Sequence, residues 1–406
     1  MSTTPQEAFR AAAMSDVASA YLDALRALGA NLVIVAHVLA LYFGIKGIPF
    51  GSLGVTIFFL LSGFLIMQSM LARGARSGPQ LPGFLADRAA RILTPYVPAL
   101  LVIVLANLLF IEGSYTKDGT NVGVLAFLGN LLLLQDHSVF QFLELGGLVL
   151  PWRIRPYNSA EPFWTVAIEM WIYVAAGLFF FCLLGRERLA RPWSIVLALV
   201  SVPVVVWNAA AGGGKSLTLI WIVGALAGAL FHRWRALGYR NASLVSLTLV
   251  GFGLVALVGR AGKVGFSPYD FQTATLLGIA LFGVLAYLLT VAKSMPRVKA
   301  TFERLASYSY SLYLLHNTVL IVVLETVPIA DVRFKAIVAV ALAHVCSYLL
   351  YLGFERHYRA VAAWLRPRFE AVLRTTSERV GDALAASTSR SATVTNLTMR
   401  KPETSS

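Results

Sequence analysis

Charge is the scarcest property of this chain. Only 13% of its 406 residues are Asp, Glu, Lys or Arg, while 58% are hydrophobic. A soluble globular chain is about a quarter charged, so the polar surface that a soluble fold of this length needs is missing. A mean hydropathy of +0.72 points the same way. Cysteine is nearly absent too: Cys182 and Cys346 both fall within apolar runs. That excludes a disulfide framework and reads as two small buried hydrophobes. Basic motifs interleaved with aromatics, of the kind that bind nucleic acid, are lacking, so the net charge of +14 does not imply a nucleic-acid partner. Residues 1–20 hold no contiguous apolar region; no cleavable leader is expected there, and the first span is expected to act as its own insertion signal. There is no internal repeat and no room for a second soluble domain.

What is present is a series of apolar runs of about 18 or more residues, each long enough to cross a bilayer core as a helix. Inside lipid every backbone donor and acceptor must be satisfied within the segment, which favours helices. The runs predict an all-α polytopic bundle with spans at 25–44, 52–71, 92–112, 163–184, 193–211, 214–231, 242–259, 271–292, 307–327 and 335–355. Val122 to Gln135 is apolar but short, and reads as an interfacial or re-entrant segment. Alternate loops are rich in basic residues, among them Arg73, Arg76, Arg88 and Arg91, then Arg186, Arg188 and Arg191, then Arg233, Arg235 and Arg240, then Lys293, Arg297, Lys299 and Arg304. The positive-inside rule puts these in the cytoplasm, with both termini. The expected organisation is a cytoplasmic segment 1–20, a membrane domain 21–360 and a tail 361–406 that begins amphipathic and ends disordered. Asn241 and Asn396 match a glycosylation pattern but fall on the cytoplasmic side. Gly212-Gly-Gly-Lys-Ser216 resembles the end of a phosphate-binding loop but lacks its first glycine and its strand, and reads as a hairpin.

Ionisable groups inside a membrane cost roughly 2.5–3.5 kcal/mol or more near a helix centre, so those within spans mark function. Arg26 and His37 are eleven residues apart in the first span, which returns to nearly one helix face about 16 Å further along. Arg88 and Arg91 share a face at the cytoplasmic start of the third span, and guanidinium forks suit phosphate. Glu169 lies about 10 Å into the fourth span, at a depth similar to that of His37, so an imidazole–carboxylate pair is allowed. Tyr308-Ser-Tyr-Ser-Leu-Tyr-Leu-Leu-His316 crowds hydroxyls and an imidazole into the ninth; such groups also serve as interhelical glue.

In this order the segments resemble the acyltransferase-3 family of integral membrane acyltransferases. Leu22-Asp-Ala-Leu-Arg26 with His37 is similar to its opening helix, and Gly51 to Ile66 to its second. Arg88 and Arg91 fit its Arg-x-x-Arg pair; Phe163-Trp-Thr-Val-Ala-Ile-Glu169, followed by Tyr173, fits its fourth-helix segment; Ser309 to His316 and Glu355-Arg356 fit its closing helices. The chain departs from the pattern at Thr56, where Asp is common, at Met170, where a second Glu is common, and at His357, where Pro is common. The resemblance implies transfer of an acyl group, acetyl above all, from cytoplasmic acyl-CoA to a hydroxyl of an extracytoplasmic or lipid-linked glycan, in a bacterial inner membrane.

On that reading His37 is a general base oriented by Glu169. Arg26, Arg88, Arg91, Ser309, Tyr313 and His316 hold the donor, and no metal is involved. The partners are acyl-CoA, the acceptor and membrane lipids. Direct transfer and a transient acyl-histidine are both open. A proton-coupled transporter, or a non-catalytic partner in envelope polysaccharide assembly, would carry similar buried groups.

Overall fold

A computed structural model describes residues 15–76, 78–111, 121–139, 143, 154–189, 191–210, 216–236, 242–290 and 295–373. Asn241, Asn396, residues 212–215 of the expected hairpin and residues 374–406 of the tail lie outside them. Among the described residues there is no strand, and ten helices are long and apolar enough to cross a membrane. They follow the predicted order closely. Two helices start well before their expected positions: the third begins at Leu81 rather than 92, and the first, α1, begins at Asp16 rather than 25 and runs to Phe43. Its N-terminus explains the shift: the Ser15 hydroxyl accepts the Ala18 N–H and Asp16 sits in the first turn, so the polar residues before the apolar run supply a cap and a favourable charge. Gly44, at φ 66°, closes the other end in the left-handed conformation.

The centre is built on α2 (Phe50–Gly74), which packs on α1 to one side and on α7 (Leu217–Ala236) to the other. Both contacts are backbone to backbone. A Cβ added at Gly54 would meet the Gly29 carbonyl of α1 at 2.4 Å; one added at Gly63 would meet the Trp221 carbonyl of α7 at 2.0 Å. Small residues at such crossings let helices approach closely where lipid offers no hydrophobic drive for their association.

Around this core stand α3 (Leu81–Phe110), α5 (Phe163–Gly177, continued by a wider π turn over Leu178–Leu184) and α11 (Ser309–Thr326). Between α3 and α5 lies α4 (Val124–Leu131), only eight residues long and therefore about 12 Å in length, too short to span. Its polarity is inverted: Val124 and Leu125 are exposed while Asn130 is fully buried. The neighbouring Gln135 is buried too. The remaining helices are α6 (Arg191–Ala210), α8 (Ala242–Val264), α9 (Phe271–Thr290), α10 (Pro296–Ser307), α12 (Val332–Gly353) and α13 (Tyr358–Leu373). α8 and α9 pair with each other, and α8 shows large apolar side chains such as Val255 and Leu247 outward, as a lipid-facing helix does.

Ionic contacts cluster where α2, α3 and α13 meet. Asp87 of α3 takes both the Arg73 guanidinium of α2 and, at 2.7 Å, that of Arg366 of α13. The Glu187 carboxylate, from the loop after α5, accepts the Gln80 and Leu81 N–H groups at 2.8 and 2.9 Å and so caps α3 from a distance. Thr56, fully buried in α2, donates to the Pro268 carbonyl at 2.9 Å and anchors the loop between α8 and α9. A carboxylate at that position would present only acceptors to this carbonyl.

The segment 154–162, an irregular stretch before α5, is folded into the bundle. Asn107 of α3 donates to Ser159 at 2.8 Å, Asn158 donates to Asn107 at 2.7 Å, and Asn317 of α11 donates to the Ser159 carbonyl at 2.8 Å. All four side chains are buried. Non-helical backbone at this depth is tolerated because its polar groups are satisfied by protein.

Candidate functional site

Five helices bring the polar residues of the spans to one place. α1 contributes Arg26, α3 Arg88 and Arg91, α5 Glu169 and Tyr173, and α11 Ser309 and Tyr313; together with Ser62 of α2 they line a cavity of about 170 Å³. All three arginines lie in the N-terminal half of their helix, and so do Ser309 and Tyr313.

The arginines differ in what they touch. Arg26 is paired with Asp23, one turn before it on α1. Arg91 Nη1 is 3.0 Å from Glu355 Oε1, and its guanidinium lies 4.9 Å from the Tyr358 ring centroid and 6.0 Å from that of Tyr310. Arg88 lies over Phe84 and forms no ion pair among the described residues; its Nε has no hydrogen-bond partner. Arg88 thus has no direct ion-pair partner, and the carboxylate that shares its cavity and acts on it at longer range is Glu169.

Glu169 faces this cavity. Its Oε1 accepts the Tyr173 hydroxyl at 2.5 Å; Tyr173 and Ser62 hydroxyls are 2.8 Å apart, and Trp221 Nε1 donates to Ser62 at 3.2 Å. Since Tyr173 spends its hydrogen on the carboxylate, Ser62 must donate to Tyr173, and the chain of donors runs from Trp221 to Glu169. The expected pair with His37 is therefore not what the fold forms: no hydrogen bond joins Glu169 to His37. Matching depth left the azimuth of each helix open, and α5 turns Glu169 toward α2 and α3.

The neighbour of His37 is His316. Their ring centroids are 4.9 Å apart with planes at 71°. His37 Nδ1 is 2.9 Å from the Val33 carbonyl, and His316 Nδ1 is 3.0 Å from the Leu312 carbonyl, each one helical turn back. A carbonyl only accepts, so in each neutral ring Nδ1 carries the hydrogen and Nε2 carries the lone pair. His37 is half-buried; His316 is wholly buried, and its Nε2 has no partner. Neither ring is on the cavity wall. Tyr313 is, and its ring lies 6.0 Å from that of His316.

Of the eight residues singled out from sequence, the fold gathers Arg26, Arg88, Arg91, Glu169, Ser309 and Tyr313 around one cavity and sets His37 and His316 together beyond it. Three contributors were not among them. Ser62 is a lone hydroxyl in an apolar run. Tyr310 sat unmarked in the ninth-span motif. Glu355, noted in the closing segment, is buried and binds Arg91, Ser311 N–H and Ser311 Oγ. Glu355-Arg356 at the end of the tenth run was the one available signal, since a carboxylate there needs a partner.

A family model described as "Acyltransferase domain" matches residues 19–352. No curated protein and no solved structure matches the chain.

Proposed function

The chain belongs to the acyltransferase-3 family, and we propose from that premise that it moves an acyl group, acetyl in the simplest case, from cytoplasmic acyl-CoA to a hydroxyl of an extracytoplasmic or lipid-linked glycan. As a multi-pass membrane acyltransferase it must bring a charged, water-soluble donor to an alcohol across a low-dielectric interior. The observation that carries the reading is the cavity between α1, α2, α3, α5 and α11, with Arg88 on its wall and in no ion pair among the described residues.

On this proposal the arginine end faces the cytoplasm, as the positive-inside pattern of the loops supports. Arg88, with Arg26 and Arg91 beside it, holds the donor phosphates. A cavity of about 170 Å³ is too small for the nucleotide head, because pockets that enclose drug-sized ligands run to about 300–1,000 Å³. The head stays at the mouth, and the thin, mostly uncharged pantetheine arm threads inward past Ser309 and Tyr313 toward His37.

The chemistry assigned to His37 follows from its hydrogen bonding. With Nδ1–H donated to Val33, the Nε2 lone pair is free to take the proton of the attacking hydroxyl. The oxygen attacks the thioester carbon, the C–S bond breaks with its electrons leaving on sulfur, and the proton passes from Nε2 to the thiolate. Glu169, held by Tyr173, is proposed to order the cavity wall rather than to orient the imidazole. The membrane proposed for it is a bacterial inner membrane, with acyl-CoA on one side and the glycan on the other.

Inverted membrane vesicles given [14C]acetyl-CoA test the proposal. Label is expected in the envelope glycan fraction with the wild-type chain, and none with His37→Ala inserted to the same level. Wild-type labelling by that variant would overturn the assignment of His37. Solute uptake with no acylated product would replace the enzyme by a carrier.

A further inference from the structure

We propose that Glu161, Trp164 and Tyr269 form the acceptor subsite: a vestibule on the side opposite the arginines, where a neutral sugar ring lies against the two aromatic side chains and gives a hydroxyl hydrogen to the carboxylate. The inference rests on the acyl-transfer reading, and adds to it where the alcohol binds and which sugars are admitted.

Glu161 is a charge at an unexpected depth. It is exposed, while Ala160 before it and Phe163 after it are both 0% exposed and Pro162 is buried. The backbone on either side is anchored inside the bundle. Ser159 Oγ is 2.8 Å from Thr318 Oγ1, near the middle of α11. The Pro162 carbonyl accepts from the Tyr313 hydroxyl at 3.2 Å, and Tyr313 is a wall residue of the central cavity. A carboxylate turned to lipid between these anchors would be costly. Glu161 makes no hydrogen bond or ion pair among the described residues that would offset the cost. Water must therefore reach it, which makes the bundle open down to this level.

Two aromatic side chains accompany the carboxylate. Trp164 follows it by three residues, and its ring centroid lies 6.4 Å from that of Tyr269 with the planes at 82°. Both are part-exposed, yet both pack against the main core, whereas the aromatic belts of membrane proteins sit at the lipid headgroups. Tyr269 belongs to the loop that the Thr56 hydroxyl ties to α2 through the Pro268 carbonyl. Glu161 and Tyr269 are both within electrostatic range of the Tyr313 hydroxyl, so two segments remote in sequence converge beside one tyrosine. Aromatic faces are negative and suit the C–H face of a pyranose, which is apolar and slightly positive. Its hydroxyls are left at the rim for a carboxylate, which only accepts. The nearby Asp270 is committed to Arg260 at 2.8 Å and to the Thr273 N–H at 2.9 Å. Glu161 therefore sets the sign of the vestibule: a neutral sugar is admitted, and a uronate is repelled.

The position suits the transfer. Tyr313 links the vestibule to the histidines: its hydroxyl is bonded to Pro162, its ring lies 6.0 Å from that of His316, and His316 lies 4.9 Å from His37 between centroids. His316 is two residues before Thr318 on α11, about 3 Å along the axis. A hydroxyl of the bound sugar thus enters near the level of these rings, and the thioester arrives through the cavity that the same tyrosine lines. The bonds made and broken are those already given for the transfer.

Two measurements test the inference. In the first, the full chain in lipid nanodiscs, open to both sides, receives [14C]acetyl-CoA and de-O-acetylated envelope glycan from the host cell. Trp164→Ala is expected to raise KM for the glycan on the order of tenfold, the weight of one aromatic face. Glu161→Ala, at an exposed position where folding is not at stake, is expected to raise it by a similar factor. KM for acetyl-CoA stays within about twofold in both, and Trp164→Phe recovers most of the glycan affinity. Tandem mass spectrometry of the product is expected to place the acetyl on a neutral sugar. An unchanged glycan KM in Glu161→Ala or in a normally inserted Trp164→Ala, or acetyl on an acidic sugar, overturns the proposal.

The second measurement needs no transfer. The same glycan, tritiated, is bound to the nanodiscs without acetyl-CoA, and both alanine variants are expected to weaken its binding. If they do so while the wild-type chain transfers no label, it is the acyl-transfer reading that fails and the sugar subsite remains. If the wild-type chain transfers label and neither variant weakens binding, the transfer remains and the subsite is overturned.

Discussion

Arg91 Nη1 lies 3.0 Å from an oxygen of Glu355, a carboxylate whose side chain is 1% exposed, while Arg88, three residues earlier on α3, has no ion-pair partner among the described residues. Two arginines that look equivalent by spacing are therefore occupied differently. Glu355 also accepts from Ser311 N–H and Oγ at 3.1 and 2.7 Å, so Arg91 joins α3 to the start of α11 and to the end of α12.

Substituting the two should give distinct phenotypes. Arg88→Ala is expected to raise KM for acetyl-CoA at least tenfold with little change in melting temperature, and the donor affinity should weaken less steeply with added salt than in the wild type, because one screened contact has gone. Arg91→Ala leaves a buried carboxylate unpaired. Breaking a buried pair costs about 3–5 kcal/mol, and the 29% exposure of Arg91 places this one toward the lower end. Thermal unfolding in detergent reads the difference, and Arg91→Met with Glu355→Leu should recover much of it.

Deletion of the base separates the two routes left open by the residue types. Loss of a general base lowers rates typically by about 10²–10⁴-fold, and His37→Ala is expected to fall in that range or below detection. With direct transfer, wild-type protein incubated with [14C]acetyl-CoA in the absence of acceptor retains no label after denaturation. Stable label on His37 would establish an acyl-histidine instead.

The donor chain through Tyr173 yields a third expectation. Tyr173→Phe removes the hydroxyl between Ser62 and Glu169 and strips the carboxylate of its 2.5 Å donor. Leaving such a group unsatisfied costs roughly 1–3 kcal/mol. A lowered melting temperature with a raised KM for acetyl-CoA is the expected result. Glu169→Gln, which removes the charge, should make the added Tyr173→Phe change less damaging than it is alone; additive losses would disprove the coupling.

Packing of the central helix sets a fourth. A methyl at Gly63 would sit 2.0 Å from the Trp221 carbonyl and 2.8 Å from the Ala225 nitrogen, both backbone atoms of α7 that cannot swing away. Gly63→Ala is expected to destabilise by more than the roughly 1–3 kcal/mol usual for overpacking. Gly251→Ala on α8, where nothing lies within 4 Å, should leave the melting temperature unchanged. Equal effects at the two positions would argue against the close crossing.

The helices were legible because lipid imposes one rule, long apolar runs with internal hydrogen bonding, and the chain obeys it plainly from Phe50 to Gly353. The start of α1 was not, since the turns over Asp16 to Asp23 are only mildly apolar and their burial depends on partners such as Leu281 and Leu288, whose carbonyls accept from Tyr21 and Ser15. The site residues were marked by their cost in a membrane, which is why Arg26, His37, Arg88, Arg91, Glu169 and His316 stood out one by one. Their partners were not marked. Depth along an axis follows from counting residues, but the direction in which a helix turns a side chain is set by neighbours remote in sequence. Glu169 consequently found Tyr173 on its own helix, and His37 found His316 some 280 positions away in the chain.

The glycine crossings carry a mechanical consequence. A helix whose main chain rests directly on a neighbour's main chain at Gly54 and again at Gly63 has no side-chain cushion to deform on either side. It behaves as a fixed post, and any breathing needed to admit a thioester or release an ester falls to helices further out, among them α8 and α9, which are closely crossed with each other at Gly253 and Gly283 and would move as a pair.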